Sequence, residues 1–296
     1  MKPKVLVILG PTAVGKSDLA VEIARHYNGE VISADSRQVY KGFDIGTGKI
    51  TKKEMRGVPH HLLDVINPKK IYSVEGWKKD TEKAIRDIVS RGKLPIICGG
   101  TGFYIQSIVD NIVLPDVPAN PELRKQLSLK STEDLFSILT QLDPNRANEI
   151  DQKNPVRLIR AIEIATALGS VPKPTHAKTE YEFIQIGFSL PLEILRVKIH
   201  NRLLSRMKKG MLREAQHLHA KGLSYKRMEA LGLEYRYLAL YLQKKISKQD
   251  MLQKLEIEIG QYARRQMQWF KRDERIKWFE PTQTKEIYSW IHTTLF

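Results

Sequence analysis

The sequence contains only one cysteine. Cys98 stands alone among 296 residues, so no intramolecular disulfide can form and a cysteine-rich zinc site is excluded. It ends the apolar segment that begins at Leu94, where a small side chain in a buried strand is the simplest interpretation. The lack of disulfides is typical of reducing compartments, and we expect a cytoplasmic protein.

Long apolar runs are missing as well. No stretch approaches the roughly 18 apolar residues that a membrane helix requires. The apolar run after Lys4 ends at Gly10 and Pro11, and it is too short for the core of a secretory leader. We expect neither a membrane partner nor a targeting segment.

Acidic residues are scarce relative to basic ones. Lys and Arg number 49 against 33 Asp and Glu, which gives a formal net charge of +16. Between Leu192 and Glu280 the count is 21 against 10, so +11 lies in that stretch. Positive charge concentrated in this way favours a polyanionic partner such as a nucleic acid.

What the sequence does contain is an alternation of strand and helix patterns. Short apolar, β-branched segments at Lys4–Leu9, Glu30–Ala34 and Leu94–Cys98 predict strands, and helical spacing marks Ser17–Tyr27 and Val74–Ser90. Such alternation forms a parallel sheet with helices on both faces. We therefore predict an α/β fold.

Prolines interrupt this pattern between Leu114 and Pro121. Helical spacing follows as far as Leu168, and Phe183–Leu190 predicts a strand that returns to the sheet before a helical region at 192–270. We predict a small all-helical insertion domain at 116–182. The core domain would consist of 1–115 and 183–296, with a basic helical carboxyl-terminal region.

An octapeptide after the first strand fits the pattern G-x-x-x-x-G-K-[ST], which we call the P-loop. Its glycines let backbone N–H groups converge on phosphate oxygens at a helix N-terminus, Lys16 adds a full charge, and the Ser17 hydroxyl can bind Mg²⁺. The motif predicts a polyphosphate site without saying which bond is broken. The predicted diphosphate-binding residues are Gly10, Pro11, Thr12, Ala13, Val14, Gly15, Lys16 and Ser17.

The second predicted strand leads directly into Asp35. Ligands bind beyond the carboxyl ends of the strands in open parallel sheets, so this carboxylate should face the phosphates. At this place the carboxylate could act through a bound Mg²⁺ ion, or it could act as a general base that accepts a proton. The alternative is an aspartate that only caps a helix or a turn.

Several segments together resemble the tRNA dimethylallyltransferase family in its bacterial form. The P-loop is followed by D-S-R-Q-V-Y-K-G-F-D-I-G-T-G-K at Asp35–Lys49, and further blocks appear in family order. The resemblance covers nearly the whole chain, and the zinc-finger cysteines of eukaryotic relatives are absent. The further blocks are Pro59–Asp64, Gly99–Tyr104, Asn154–Glu163 and Gln261–Gln266.

This resemblance implies a P-loop NTPase-like fold and a prenyl transfer. N6 of adenine 37, beside the anticodon of tRNA, would attack C1 of dimethylallyl diphosphate and expel diphosphate. Asp35 matches the family's general base, and Thr101 matches the threonine at its reaction centre. Lys16 and the P-loop, with Mg²⁺ as the expected cofactor, would stabilise the leaving diphosphate. The implied catalytic residues are Asp35, Thr101 and Lys16.

The resemblance also implies a set of RNA contacts. Asp35, Ser36, Arg37, Gln38 and Thr101 match the positions around the target nucleotide, which has to swing out of its stack to reach such a site. In the predicted insertion, three arginines resemble tRNA-contacting positions. They are Arg124, Arg157 and Arg160.

The basic segment from Arg264 to Arg272 includes two aromatic residues, Trp269 and Phe270. Such a mixture suits phosphate contact and base stacking, although packing in the core is the stronger explanation for the aromatic rings. We expect a monomer that binds the anticodon stem-loop of tRNA.

Three other functions stay open. A P-loop small-molecule kinase shares the P-loop and the aspartate after strand two, but leaves the basic region unexplained. An adenylate prenyltransferase would use the same residues on free AMP, which gives no reason for the insertion or the positive charge. A noncatalytic RNA-binding protein could hold a regulatory nucleotide in the P-loop, but no residue favours it.

Overall fold

A computed structural model of the chain describes residues 2–295. The chain divides into two compact units, one made of Met1–Asn111 with Lys178–Phe296 and the other of Ile112–Ala177. A search of the described helices finds none that is both long and apolar enough to span a bilayer.

The first unit is built on a parallel sheet. Its strands are β1 (Lys4–Leu9), β2 (Gly29–Ala34), β3 (His60–His61), β4 (Leu94–Gly99), β7 (Glu182–Phe188) and β8 (Lys277–Phe279). They lie in the order β3-β2-β4-β1-β7-β8, and every neighbouring pair is parallel. The predicted α/β fold is confirmed, and Cys98 lies buried in β4 as expected.

Helices flank the sheet, and the helical region predicted at 192–270 consists of α9 to α13. The helices of this unit are α1 (Lys16–His26), α2 (Lys52–Met55), α3 (Val74–Ser90), α4 (Gly102–Val109), α9 (Leu192–Lys208), α10 (Met211–Ala220), α11 (Tyr225–Leu231), α12 (Leu233–Leu242), α13 (Lys248–Phe270) and α14 (Thr284–Leu295).

Both faces of the sheet are buried because helices pack against each of them, and successive side chains of a strand point to opposite faces. In β1, Val5, Val7 and Leu9 pack into one core cluster together with residues of α3, α4 and α13. Leu6 and Ile8 pack into a second cluster with residues of α1 and α14. The carboxyl ends of β1, β2 and β4 are therefore held by packing on both faces.

The second unit contains the helices α5 (Pro121–Leu127), α6 (Thr132–Leu142), α7 (Pro144–Glu149) and α8 (Pro155–Leu168). Three of them begin with a proline that follows a capping Asn120, Asp143 or Asn154, an arrangement that satisfies free N–H groups of the first turn. Leu135, Leu139 and other residues form a separate core.

The boundaries of the second unit differ from the predicted 116–182. A short antiparallel ladder joins β5 (Ile112–Val113) to β6 (Thr175–His176), so these residues group with the insertion, which is helical apart from this ladder. Glu182 pairs instead with Lys4 of β1. Backbone pairing, which the side-chain pattern does not display, decides where each segment belongs.

The edge strands β3 and β8 were not predicted from the sequence. One is His-His and the other Lys-Trp-Phe, and they pair with β2 and β7 at the two edges of the sheet. Short edge strands need no continuous apolar run, since they are not covered on all sides.

Candidate active site

The P-loop connects β1 to α1 and requires glycine at two positions. Gly10 has φ +142°, and a Cβ there would lie 2.7 Å from the carbonyl oxygen of Phe188. Gly15, which precedes α1, has φ +103°. Both conformations are unfavourable for residues with a side chain, so the glycines of the motif allow the backbone to turn tightly into the helix N-terminus.

The P-loop lines a pocket of about 310 Å³ at the carboxyl ends of the strands. Of the residues predicted to bind diphosphate, Thr12, Ala13, Gly15, Lys16 and Ser17 line this pocket. Asp35 and Gln38, from the segment after β2, line it as well. The structure therefore brings the P-loop and the predicted base to one cavity. Val14 instead packs into the core.

Lys16 is half-buried in this pocket. Its Nζ donates a hydrogen bond to the carbonyl oxygen of Pro11 at 2.5 Å. Burial lowers the pKa of Lys16 to about 8, and the nearby charge of Arg202 acts in the same direction while that of Asp35 opposes it. A cation with few partners in a partly dehydrated pocket is suited to bind an anion.

The two carboxylate oxygens of Asp35 have different surroundings. Its Oδ1 accepts hydrogen bonds from the backbone N–H groups of Arg37 at 2.8 Å and Gln38 at 3.3 Å, so this oxygen fixes the turn after β2. Among the described residues, Oδ2 has no hydrogen-bond partner, while the residue lines the pocket. One oxygen is structural and the other is available for chemistry.

Thr101 follows β4 and is joined to the segment after β2. Its N–H donates to the carbonyl oxygen of Ala34 at 3.1 Å, and its Oγ1 accepts from the N–H of Ser36 at 3.0 Å. Tyr262 of α13 is a neighbour of the Thr101 side chain, and burial raises the pKa of its phenol. Asp35 and Thr101 are thereby held side by side at the ends of neighbouring strands.

Arg202 is a pocket residue that the sequence analysis missed. From α9, its guanidinium donates to Oγ1 of Thr12 at 3.2 Å and to the carbonyl oxygen of Gly48 at 3.3 Å. Burial, reinforced by the neighbouring charge of Arg206, lowers its pKa. Arg202 lies in a region with many basic residues, and no local pattern distinguishes it from the exposed ones.

Gln266 was noticed only as part of a family block. It is 6% exposed on α13 and lines the pocket. Its side chain accepts from the N–H of Thr12 at 2.9 Å and donates to the carbonyl oxygen of Gly100 at 2.8 Å. The N–H of Thr12 is thus already bound within the protein.

The segment 44–49, which we call the wall loop, contributes Thr47 and Gly48 to the pocket. The carboxylate of Glu214 accepts from three consecutive backbone N–H groups, those of residues 44, 45 and 46, at 2.7–3.1 Å. It also accepts from the hydroxyl of Tyr235 at 2.7 Å. Arg206 donates to the carbonyl oxygens of residues 45 and 46. Two charged side chains therefore fix the backbone of this loop.

The oxygen donors of the pocket fit a hard divalent cation. Ser17, Asp18, Asp35 and Glu54 line it, and hydroxyl and carboxylate oxygens are the ligands that Mg²⁺ prefers. Within residues 2–295, no group of three or more His, Cys, Asp or Glu side chains is placed to hold a metal by itself. A cation here would need oxygens from a bound phosphate, as is common for Mg²⁺.

The three predicted arginines of the insertion have different surroundings. Arg124 and Arg160 both bind the carboxylate of Glu163, with N–O distances of 2.7 and 2.9 Å, and Glu163 is 2% exposed. Arg157 is exposed and lies 4.0 Å from Asp151. The ion pairs with Glu163 organise this unit and hold two of the arginines half-exposed.

The segment at the end of α13 separates its aromatic and basic residues. Phe270 is buried, as core packing predicts, and Trp269 is half-buried against the backbone of Gly102, where a Cβ would lie 2.4 Å from the indole. The guanidinium of Arg272 lies 5.9 Å from the Trp269 ring. Arg264 and Arg265 are exposed, in keeping with a basic surface.

Comparisons with known proteins identify the family of this chain. The sequence model described as IPP transferase matches residues 38–273, and that described as isopentenyl transferase matches residues 3–70. The chain is 41% identical to tRNA dimethylallyltransferase 1 of Geotalea uraniireducens, covering 95% of this chain and 93% of the relative. It is 44% identical to tRNA dimethylallyltransferase 2 of Treponema denticola, with coverage of 91% and 92%.

Solved structures show the same likeness. The full-length tRNA isopentenylpyrophosphate transferase of Bacillus halodurans superposes with a TM-score of 0.76 at 33% identity, covering 99% of this chain and 97% of that one. A eukaryotic dimethylallyltransferase acting on tRNA has the same fold, with a TM-score of 0.76 at 24% identity. With a matching sequence model over most of its length and relatives above 40% identity, this chain belongs to the IPP transferase family, together with the tRNA dimethylallyltransferases.

Proposed function

We propose that this protein transfers the dimethylallyl group of dimethylallyl diphosphate to N6 of adenine 37 in tRNA, releasing diphosphate. The observation that carries the proposal is a single pocket in which Lys16 of the P-loop and an unpartnered carboxylate oxygen of Asp35 both lie. Membership of the tRNA dimethylallyltransferase family supports the same reaction.

On the donor side, the P-loop and Lys16 would bind the diphosphate. Arg202 is a second cation in the pocket. Negative charge grows on the leaving diphosphate as the bond between C1 and oxygen breaks, so these groups would stabilise the transition state more than the ground state. Ser17 and Asp18 line the pocket and would hold Mg²⁺ with the diphosphate, and the cation would supply further charge neutralisation.

On the acceptor side, Oδ2 of Asp35 would take the proton of N6 as the bond between N6 and C1 forms. The exocyclic nitrogen of adenine is a weak nucleophile, because its lone pair is delocalised into the ring, so a base at this position speeds the reaction. Arg37 and Gln38 donate to the other oxygen of this carboxylate, and Ser36 donates to Thr101. These four residues are the candidates to contact the extruded nucleotide.

For RNA binding, we propose that Arg157, the exposed arginines of α13 and the half-exposed Arg124 and Arg160 contact the anticodon stem-loop. The positive charge of the carboxyl-terminal region supports an interaction with phosphates. We propose that the protein is a monomer. We propose that the protein acts in the cytoplasm.

The test is a single transfer assay. Purified protein, Mg²⁺ and dimethylallyl diphosphate are incubated with an unmodified tRNA transcript, and with a transcript that differs only by guanine at position 37. Mass spectrometry should find one added dimethylallyl group, on the first transcript only. Transfer to free AMP but not to tRNA, or ADP formation from ATP with a small-molecule acceptor, would contradict the proposal.

A further inference from the structure

The side chain of Gln266 fills a gap between two backbone segments at the centre of the site, those that follow β1 and β4. The strands β1 and β4 are paired up to Leu9 and Gly99, and beyond these residues one backbone continues into the P-loop and the other towards Thr101. The Gln266 carboxamide lies between them, accepting from the N–H of Thr12 at 2.9 Å and donating to the carbonyl oxygen of Gly100 at 2.8 Å.

The amide of Gln266 satisfies both neighbours of this gap. Thr12 presents a donor and Gly100 an acceptor, so the group between them has to accept on one side and donate on the other. A carboxylate lacks the donor and an apolar side chain lacks both. The fit is close, because a Cβ on Gly100 would lie 2.2 Å from Nε2 of Gln266.

The contacts of Gln266 continue to the predicted base. Gly100 precedes Thr101, whose hydroxyl accepts from the N–H of Ser36, and Ser36 follows Asp35. Tyr262, one helical turn before Gln266 on α13, lines the same pocket and neighbours the Thr101 side chain. Two side chains of one helix face therefore adjoin the Gly100–Thr101 segment, and Gln266 is hydrogen-bonded to it.

We propose that Gln266 is a positioning residue that couples the P-loop to the segment carrying Thr101. The inference rests on the proposed function, in which the P-loop holds the donor and the segments after β2 and β4 hold the acceptor. Gln266 then sets the separation of C1 and N6. It touches neither reacting atom, so its loss should disturb alignment rather than binding.

The effect should appear in kcat. A displacement of reacting groups by about 1 Å costs up to about a hundredfold in rate, so Gln266→Glu should lower kcat about tenfold to a hundredfold. The new carboxylate also adds a negative charge to the pocket proposed for the diphosphate, so Gln266→Glu should bind dimethylallyl diphosphate and inorganic diphosphate more weakly. The RNA contacts lie elsewhere, and the dissociation constant for tRNA should stay within about threefold of wild type.

The matched control is Gln253→Glu, the same substitution on the exposed side of α13. It should leave kcat unchanged. A second variant, Gly100→Ala, disturbs the same contact from the other side, since the added methyl group would meet Nε2. It adds no charge, so it should show a low kcat with normal binding of dimethylallyl diphosphate and tRNA, even if Gln266→Glu folds poorly.

The double variant tests the coupling directly. If both substitutions break the same contact, Gln266→Glu with Gly100→Ala should lower kcat much less than the product of the two single effects. Thermal unfolding and inorganic diphosphate binding are measured for each variant, so that a loss of folded protein is recognised.

Three results would overturn the inference while the wild type transfers the dimethylallyl group. They are a kcat within about twofold of wild type in both single variants, activity losses that follow only the folded fraction, and multiplicative effects in the double variant. A wild-type protein that prenylates no tRNA would instead overturn the proposed function.

Discussion

The charge of Lys16 depends on pH in the range where the protein can be studied. Burial lowers the pKa of Lys16 to about 8, and a lysine is cationic only below its pKa. The affinity for inorganic diphosphate should therefore be highest below about pH 8 and fall as pH rises through that value. Arginine stays protonated throughout, so the Lys16→Arg variant should lack this decline.

Calorimetric titration with inorganic diphosphate at a series of pH values measures the effect. The ligand also titrates, but its contribution is common to both proteins and cancels when the two curves are compared. Parallel curves for wild type and Lys16→Arg would show that Lys16 is not the titrating group.

Asp35 has one oxygen in a turn and one available to a substrate, and Asn separates these roles. An asparagine oxygen can still accept from the N–H groups of Arg37 and Gln38, so the turn should persist, but an amide cannot take up the proton of N6. General bases contribute about 10²–10⁴-fold, and we expect Asp35→Asn to lower kcat by that factor. The tRNA dissociation constant should not change.

Single-turnover kinetics and filter binding give the two quantities. The exposed Asp116→Asn variant carries the same change in charge and should behave as wild type. A rate for Asp35→Asn within about twofold of wild type would exclude Asp35 as the base.

The wall loop depends on Glu214, which accepts from three backbone N–H groups and from Tyr235. A glutamine keeps only one acceptor oxygen, and its NH₂ group would face other donors. Hydrogen bonds to charged groups contribute about 1.5–3 kcal/mol, so Glu214→Gln should lower the free energy of unfolding by about 1–3 kcal/mol. Because Thr47 and Gly48 line the pocket, the KM for dimethylallyl diphosphate should also rise.

Urea unfolding and steady-state kinetics test both consequences. Glu193→Gln on the exposed surface of α9 is the comparison, and neither quantity should change there. A stable Glu214→Gln protein with an unchanged KM would mean that the wall loop is held without this carboxylate.

The sequence predicted the strands and helices that are specified by the pattern of their own residues. Apolar β-branched segments gave β1, β2 and β4, and the spacing of apolar residues gave α3 with its observed ends Val74 and Ser90. The edge strands β3 and β8 were missed, because their formation depends on the neighbouring strand rather than on their own composition.

Within the site, the sequence motifs predicted the functional residues that follow the carboxyl ends of the strands. Lys16 and Asp35 follow β1 and β2, so topology alone places them together. Arg202 and Gln266 come from helices far along the chain, and only packing brings them to Thr12. The pairing of Arg124 and Arg160 with Glu163 was not predicted either, since a buried carboxylate within α8 has no sequence signature.

The excess of positive charge should make tRNA binding depend strongly on salt. Each phosphate contact releases condensed counterions, so the logarithm of the affinity falls with the logarithm of the salt concentration by about 0.7–0.9 per contact. Arg264 and Arg265 are exposed beside Gln266, whereas Lys244 and Lys245 lie at the end of α12. If the exposed face of α13 meets the RNA, the Arg264→Gln/Arg265→Gln variant should reduce the slope by about 1–2. Lys244→Gln/Lys245→Gln removes the same charge and should leave the slope unchanged. Equal reductions in both variants would mean that the RNA responds to overall charge rather than to this face.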